Sequence, residues 1–249
     1  MRLERDGGLA LVRMELGKAN AIGPAFLAAL DGVLEELERE LPPAVVLVGY
    51  DRYFSAGLDL PALLPLDRAA MGRLITDFSR VMLRLFTLPC PVVAAVNGHA
   101  VAGGCVLALQ ADARLMTADE GARIGLKEAA LGIGLPTVVL ETLRAQVPAS
   151  SLVAIALEGR LFSPVEARAL GLADALHAPG ELLPRALARA RELASIAPQA
   201  WAQIKRGLRE SVAEAVRARG PATAERWLDT WFSEDGRRLV GETVARLRG

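Results

Sequence analysis

Between Arg84 and Asp112 the chain carries no Asp, Glu, Lys or Arg. A charge-free stretch of that length belongs either in a bilayer or inside a folded core. Pro89, Pro91, Asn97, Gly98, His99, Gly103 and Gly104 interrupt it, which argues against a membrane span. It reads instead as a buried strand over Val92–Val96, a turn at Asn97 and Gly98, and a short apolar helix over 103–110.

The rest of the first two thirds alternates in the same way. Residues 10–16 alternate around Val12 and Met14 and predict a strand. Residues 24–40 place Leu27, Leu30, Leu34 and Leu37 at helical spacing, and Pro42 and Pro43 end that helix. Residues 44–48 form a second continuous apolar run, typical of a strand buried on both faces. A loop over 51–57, an amphipathic helix over 71–86 and a strand over 114–116 follow. Strands alternating with helices predict an α/β fold. From 181 to 248 the pattern is helical and charged. A boundary near residue 190 divides the chain into a core, 1–190, and a C-terminal helical region, 191–249. The latter is expected to pack on the core or on a neighbouring subunit.

Composition excludes several function classes. Lys plus Arg and Asp plus Glu both total 29, so the basic excess of a nucleic-acid binder is missing. The arginines of 206–219 alternate with Glu210 and Glu214 and read as a solvated helix face. The two cysteines, Cys90 and Cys105, sit in apolar runs without metal-ligand spacing. They predict reduced, buried thiols in a cytoplasmic protein and no metal site. Arg2, Glu4, Arg5 and Asp6 interrupt any signal-peptide pattern. No G-x-S-x-G nucleophile elbow occurs.

Three segments carry candidate chemistry. Phe54-Ser55-Ala56-Gly57-Leu58-Asp59-Leu60 follows a buried strand, and its small residues allow a ligand close to backbone N–H groups. Asn97 to Cys105 also follows a buried strand, and it opens a helix at Gly103-Gly104. Free N–H groups at such a start favour developing negative charge. In the third, Ile124 to Pro136, Glu128 stands among aliphatic and small residues. Desolvation would raise its pKa towards that of a general base, with the neighbouring Lys127 opposing the rise. Each segment alone also has a plain structural explanation: a turn, tight helix–sheet packing, a surface ion pair.

Together the three resemble the enoyl-CoA hydratase/isomerase (crotonase) family. FSAGLDL and GHAVAGGCVLAL resemble its two oxyanion motifs, and IGLKEAALGIGLP resembles the segment with its catalytic glutamate. RLFSPVEA, GLAD and FSED resemble stretches further along, so the resemblance covers nearly the whole chain.

The resemblance implies the crotonase spiral of ββα repeats with a helical C-terminal region, assembled as a homotrimer or a dimer of trimers. The substrate would be an acyl-CoA thioester, coenzyme A entering as its carrier and no separate cofactor being needed. Backbone N–H groups of Leu58 and Gly103 would hold the thioester oxygen as it becomes an enolate, with Glu128 as acid/base. Ala56, Gly57, Asp59 and Gly104 would border the same place. Lys18 and Ala19, in a segment resembling the one that meets the nucleotide end of CoA, are further binding candidates. Hydratases of this family carry a second glutamate three residues after the second oxyanion glycine. That position is Val106, so the pattern points to Δ3,Δ2-enoyl-CoA isomerisation. Asp59, Asp119 or Glu120 entering the site would restore hydration. A non-catalytic acyl-CoA-binding protein is the remaining alternative. Leu63, Leu64 and Leu66 suit an acyl tunnel or a core equally, and His99 is assigned a structural role.

Overall fold

A computed structural model describes residues 1–248. A six-stranded sheet forms its centre: β1 (Arg2–Asp6), β2 (Leu9–Arg13), β3 (Val45–Val48), β5 (Val92–Val96), β7 (Ala113–Thr117) and β9 (Ala175–His177), in that spatial order. β1 and β2 are antiparallel and every later pairing is parallel. A second, three-stranded parallel sheet contains β4 (Tyr53–Ser55), β6 (His99–Val101) and β8 (Ile124–Gly125).

The two sheets arise from a repeated unit. In β3–β4, β5–β6 and β7–β8 the first strand enters the large sheet and the second enters the small one. Helices follow each pair: α2 (Leu60–Leu63) with α3 (Arg68–Phe86), then α4 (Gly103–Leu109), then α5 (Thr137–Gln146). This is the expected α/β spiral of ββα units. The loop expected over 51–57 contains β4, and the turn at Asn97-Gly98 leads directly into β6. Strands of three residues are too short to show a period; pairing of Tyr53 with His99 and Ser55 with Ala100 defines them.

Strand alternation sends side chains to two cores. Ala10, Val12, Val45, Leu47, Val92 and Ala94 face the main core, with α1 (Pro24–Arg39), α3 and α4. Leu11, Val46, Val93 and Leu115 face the other way, against Leu182, Ala186 and Ala190 of α8 (Pro179–Ala194). Both faces of the middle of the sheet are therefore covered, which explains the unbroken apolar runs of β3 and β5. Residue 190 lies inside α8.

After α6 (Leu152–Leu157), α7 (Pro164–Ala169) and α8, the chain ends in α9 (Pro198–Trp231) and α10 (Glu234–Arg248); Gly249 lies outside the described residues. α9 packs along α3 and α5. It is fixed by buried ion pairs at 2.6 Å from Lys205 Nζ and Arg209 Nη2 to the two oxygens of Asp112, at the start of β7. Desolvation lowers the Lys205 pKa to about 8 against the pull of Asp112.

Candidate active site

The small parallel sheet brings the three candidate segments together. Its strands lie side by side and point the same way. The chain leaves β4 into Ala56–Asp59, β6 into Ala102–Gly103 and β8 into Leu126–Glu128, all at one end. Convergence at the carboxyl ends of parallel strands is where α/β folds place ligands.

Hydrogen bonding fixes the first segment against residues 17–22. Ala56 N donates to Ala19 O at 2.9 Å, and Asp59 N to Ile22 O at 3.0 Å. Gly57 N donates to Ser55 Oγ at 3.2 Å, and Gly57 O accepts from Ile22 N at 2.7 Å. Three of the four consecutive N–H groups are thus used. Leu58 N has no acceptor among the described residues, and neither has Gly103 N at the first position of α4. The two nitrogens border one gap. A Cβ on Gly57 would stand 3.0 Å from Gly103 N, and one on Gly103 would stand 3.6 Å from Leu58 N. Glycine at 57 is required twice over, by φ of +83° and by Val101 O, which a Cβ would meet at 2.5 Å. Gly104 lies against β4, where a Cβ would be 2.2 Å from Ser55 O.

Glu128 is buried, 8% exposed, and its Oε2 has no hydrogen-bond partner within the described protein. Burial raises its pKa from 4.5 to about 7, against a smaller downward pull from the backbone N–H groups of Glu128 and Lys127. The opposing influence expected from the Lys127 ammonium is therefore supplied by backbone instead. A buried carboxylate oxygen left without a partner is costly for folding, and such groups mark functional sites.

The other predicted residues fall as follows. Val106 is fully buried in the main core, one turn after Gly103. Asp59 caps α2 through Ala62 N at 3.2 Å. Asp119 and Glu120 are exposed and precede β8, whereas Glu128 follows it; Asp119 accepts from Gly121 N at 2.9 Å. Lys18 is exposed and Ala19 is buried in the short 3-10 turn Lys18–Asn20. His99 packs tilted against Tyr53, 5.3 Å between ring centroids, at the opposite ends of β6 and β4 from the site.

Sequence reasoning missed the scaffold behind the Leu58 loop. Asn20 is fully buried; its Nδ2 donates to Met14 O at 2.7 Å and Phe54 O at 3.1 Å, and its Oδ1 accepts from Leu16 N. Ser55 Oγ donates to Asn20 O at 2.8 Å. It also missed the C-terminal contacts. Thr230 Oγ1 accepts from Gly134 N at 2.9 Å, and Arg237 of α10 donates to Leu64 O at 2.7 Å. The helical end of the chain therefore touches both the segment after Glu128 and the one after Leu58. A hollow of about 550 Å³ lies elsewhere, lined by Asp112, His177, Arg185 and others. It contains none of the partnerless polar atoms found among the described residues.

This arrangement offers paired free N–H donors at the same end of the small sheet as a buried carboxylate, a combination suited to proton transfer next to a polarised carbonyl. Known proteins resemble this chain along most of its length. A putative enoyl-CoA hydratase of Thermus thermophilus is 39% identical over 187 residues, 73% of this chain and 72% of the relative. The crystal structure of human mitochondrial delta3-delta2-enoyl-CoA isomerase superposes with a TM-score of 0.94 at 26% identity, covering 99% of this chain and 97% of that one. The enoyl-CoA hydratase EchA3 of Mycobacterium ulcerans gives 0.84 at 30% identity, covering 90% and 97%. Residues 4–244 match the Enoyl-CoA hydratase/isomerase family over almost the full length, and the chain is a member of that family and an enzyme of the crotonase fold.

Proposed function

We propose that this enzyme moves the double bond of an enoyl-CoA thioester from Δ3 to Δ2. The observation that carries the reading is the pairing of Glu128, buried with its Oε2 unpartnered and its pKa raised to about 7, with a fully buried valine at 106. Of the other carboxylates considered, Asp59 is committed to its helix cap, and Asp119 and Glu120 are exposed ahead of β8. One carboxylate suffices for isomerisation; syn addition of water calls for two.

In this mechanism the thioester oxygen accepts from Leu58 N and Gly103 N. Glu128 takes a proton from C2, the C2–H electron pair becomes the C1–C2 double bond of the dienolate, and the carbonyl π pair moves onto the oxygen, which carries the charge. Glu128 then returns the proton to C4, where the C3–C4 π pair bonds it; the C1–C2 pair shifts to C2–C3 and the carbonyl re-forms, leaving the double bond between C2 and C3. Each oxyanion donor contributes roughly 3–4 kcal/mol by comparison with other enzymes. Ala56, Gly57, Asp59, Gly104 and Val106 would border the thioester, and Lys18 and Ala19 would meet the nucleotide end of CoA.

The near-complete superposition on the human isomerase supports this reading. Most relatives bear hydratase names, the Thermus protein among them, which favours hydration of 2-enoyl-CoA as the second reading. A homotrimer or dimer of trimers accompanies the proposal. Ile204 and Leu208, one turn apart on α9 and 58% and 73% exposed, are suited to such a contact, and light scattering tests it.

The deciding experiment is a paired assay with Glu128→Gln alongside. A 3-enoyl-CoA should be isomerised rapidly, a 2-enoyl-CoA hydrated negligibly, and the mutant should lose turnover. Rapid hydration would overturn the reading; silence in both arms would point to acyl-CoA binding without turnover.

A further inference from the structure

The loop that holds the free Leu58 N–H is built on an unusual turn. Ala19 and Asn20 both adopt left-handed backbone angles, with φ of 60° and 51°. Side chains with a Cβ avoid that region unless their surroundings enforce it. Here the enforcement comes partly from Asn20 and partly from Tyr50, a residue in no recognised motif. The Tyr50 hydroxyl accepts from Ala19 N at 2.7 Å and donates to Gly17 O at 2.5 Å, closing residues 17–19 into one turn. On the other side of that turn, Ala19 O accepts from Ala56 N and Asn20 O accepts from Ser55 Oγ, which itself accepts from Gly57 N. Two residues further, Ile22 holds Gly57 O and Asp59 N. A continuous hydrogen-bonded path therefore runs from Tyr50, through the Lys18–Ala19 segment, to the residues on either side of Leu58 N.

We propose that Tyr50 is a positioning residue that couples occupancy of the nucleotide end of CoA to the setting of the oxyanion loop. The proposal rests on the acyl-CoA reading of Lys18 and Ala19 given above. Its physical content is that binding energy from a part of the substrate remote from the reacting carbons is used at the carbonyl. With the Tyr50 hydroxyl bonds made, contacts at residues 18–19 stiffen the turn, and the turn fixes Ala56, Gly57 and Asp59 so that Leu58 N alone faces the substrate. With those bonds lost, the substrate still binds, but its handle no longer reinforces the oxyanion donors.

The test compares Tyr50→Phe with the unaltered enzyme on two thioesters of the same acyl group, one carried by CoA and one by N-acetylcysteamine, which lacks the nucleotide. The substitution removes only a hydroxyl. Tyr53→Phe, whose hydroxyl has no partner among the described residues and lies at the far end of β4, is the control. The expected result is about a tenfold fall in kcat on the CoA thioester, the scale of one or two hydrogen bonds, with kcat on the short thioester unchanged. An equal fall on both would make Tyr50 merely structural, and no fall on either would break the coupling; both outcomes overturn the proposal. A readout independent of turnover separates its failure from that of the isomerase reading. The carbonyl stretch of a bound saturated acyl-CoA should shift less in Tyr50→Phe, while that of the bound N-acetylcysteamine thioester stays the same. Identical carbonyl shifts in mutant and unaltered protein would sink the coupling whatever reaction the enzyme catalyses.

Discussion

Glu128 should set activity and stability in opposition, and the Glu128→Gln substitution makes this measurable. In the unfolded chain its carboxyl titrates near 4.5; in the fold, burial raises it to about 7. Between those values the folded state holds more protons than the unfolded state, so stability falls as pH rises through the window. Below pH 4.5 both states are protonated there and the cost is absent. Above 7 it is fully present, amounting to about 3 kcal/mol. Glutamine is neutral throughout and escapes it. Urea unfolding of both proteins from pH 4.5 to 8.5 should therefore show the mutant gaining up to about 3 kcal/mol over the unaltered enzyme at the alkaline end, with no pH-dependent gain at the acid end. Over the same range kcat/KM of the unaltered enzyme should rise with a midpoint near 7, as the carboxylate becomes available as a base. A stability difference that stays flat with pH would mean that Glu128 is not held above its ordinary value, and the reasoning would fall with it.

Other consequences are as specific. Gly104→Ala should prevent folding or severely destabilise it, because its Cβ would meet a backbone oxygen at 2.2 Å, whereas Gly103→Ala meets only the flexible tip of Ile22 at 3.2 Å and should fold with reduced kcat; circular dichroism and turnover separate the two. Val106→Glu should introduce measurable hydration of a 2-enoyl-CoA at the expense of a few kcal/mol of stability, since position 106 is fully buried. Asp112→Asn strands the buried Lys205 and Arg209 and should cost about 3–5 kcal/mol in a denaturant melt, with little change in KM.

Four large-sheet strands, β2, β3, β5 and β7, and the long helices α1 and α3 were legible in the sequence, because burial leaves apolar runs such as Val92–Val96 and long helices leave a period; the edge strands β1 and β9, charged or only partly buried, were not. The second sheet was not, since strands of two or three residues carry no period and exist through their partners. The motifs identified the neighbourhoods of Leu58, Gly103 and Glu128 because small residues and a carboxylate among aliphatics are local signals. The N–H groups consumed around Leu58 depend on residues 17–22, more than thirty positions away, and on Tyr50, whose role depends on where its hydroxyl lands. The same holds for Thr230 and Arg237, which reach the site from the end of the chain.

Because the hydrogen bonds around residues 56–59 leave a single amide unclaimed, the proposed donor at position 58 is indifferent to which side chain sits there. Substitutions can reshape the pocket wall or loosen the loop, but nineteen of the twenty amino acids keep the N–H. Proline is the one that deletes it. In a library screened for turnover, position 58 should therefore look permissive to every chemistry of side chain and closed to a single ring, a pattern that separates a backbone donor from a side-chain catalyst without any structure at all.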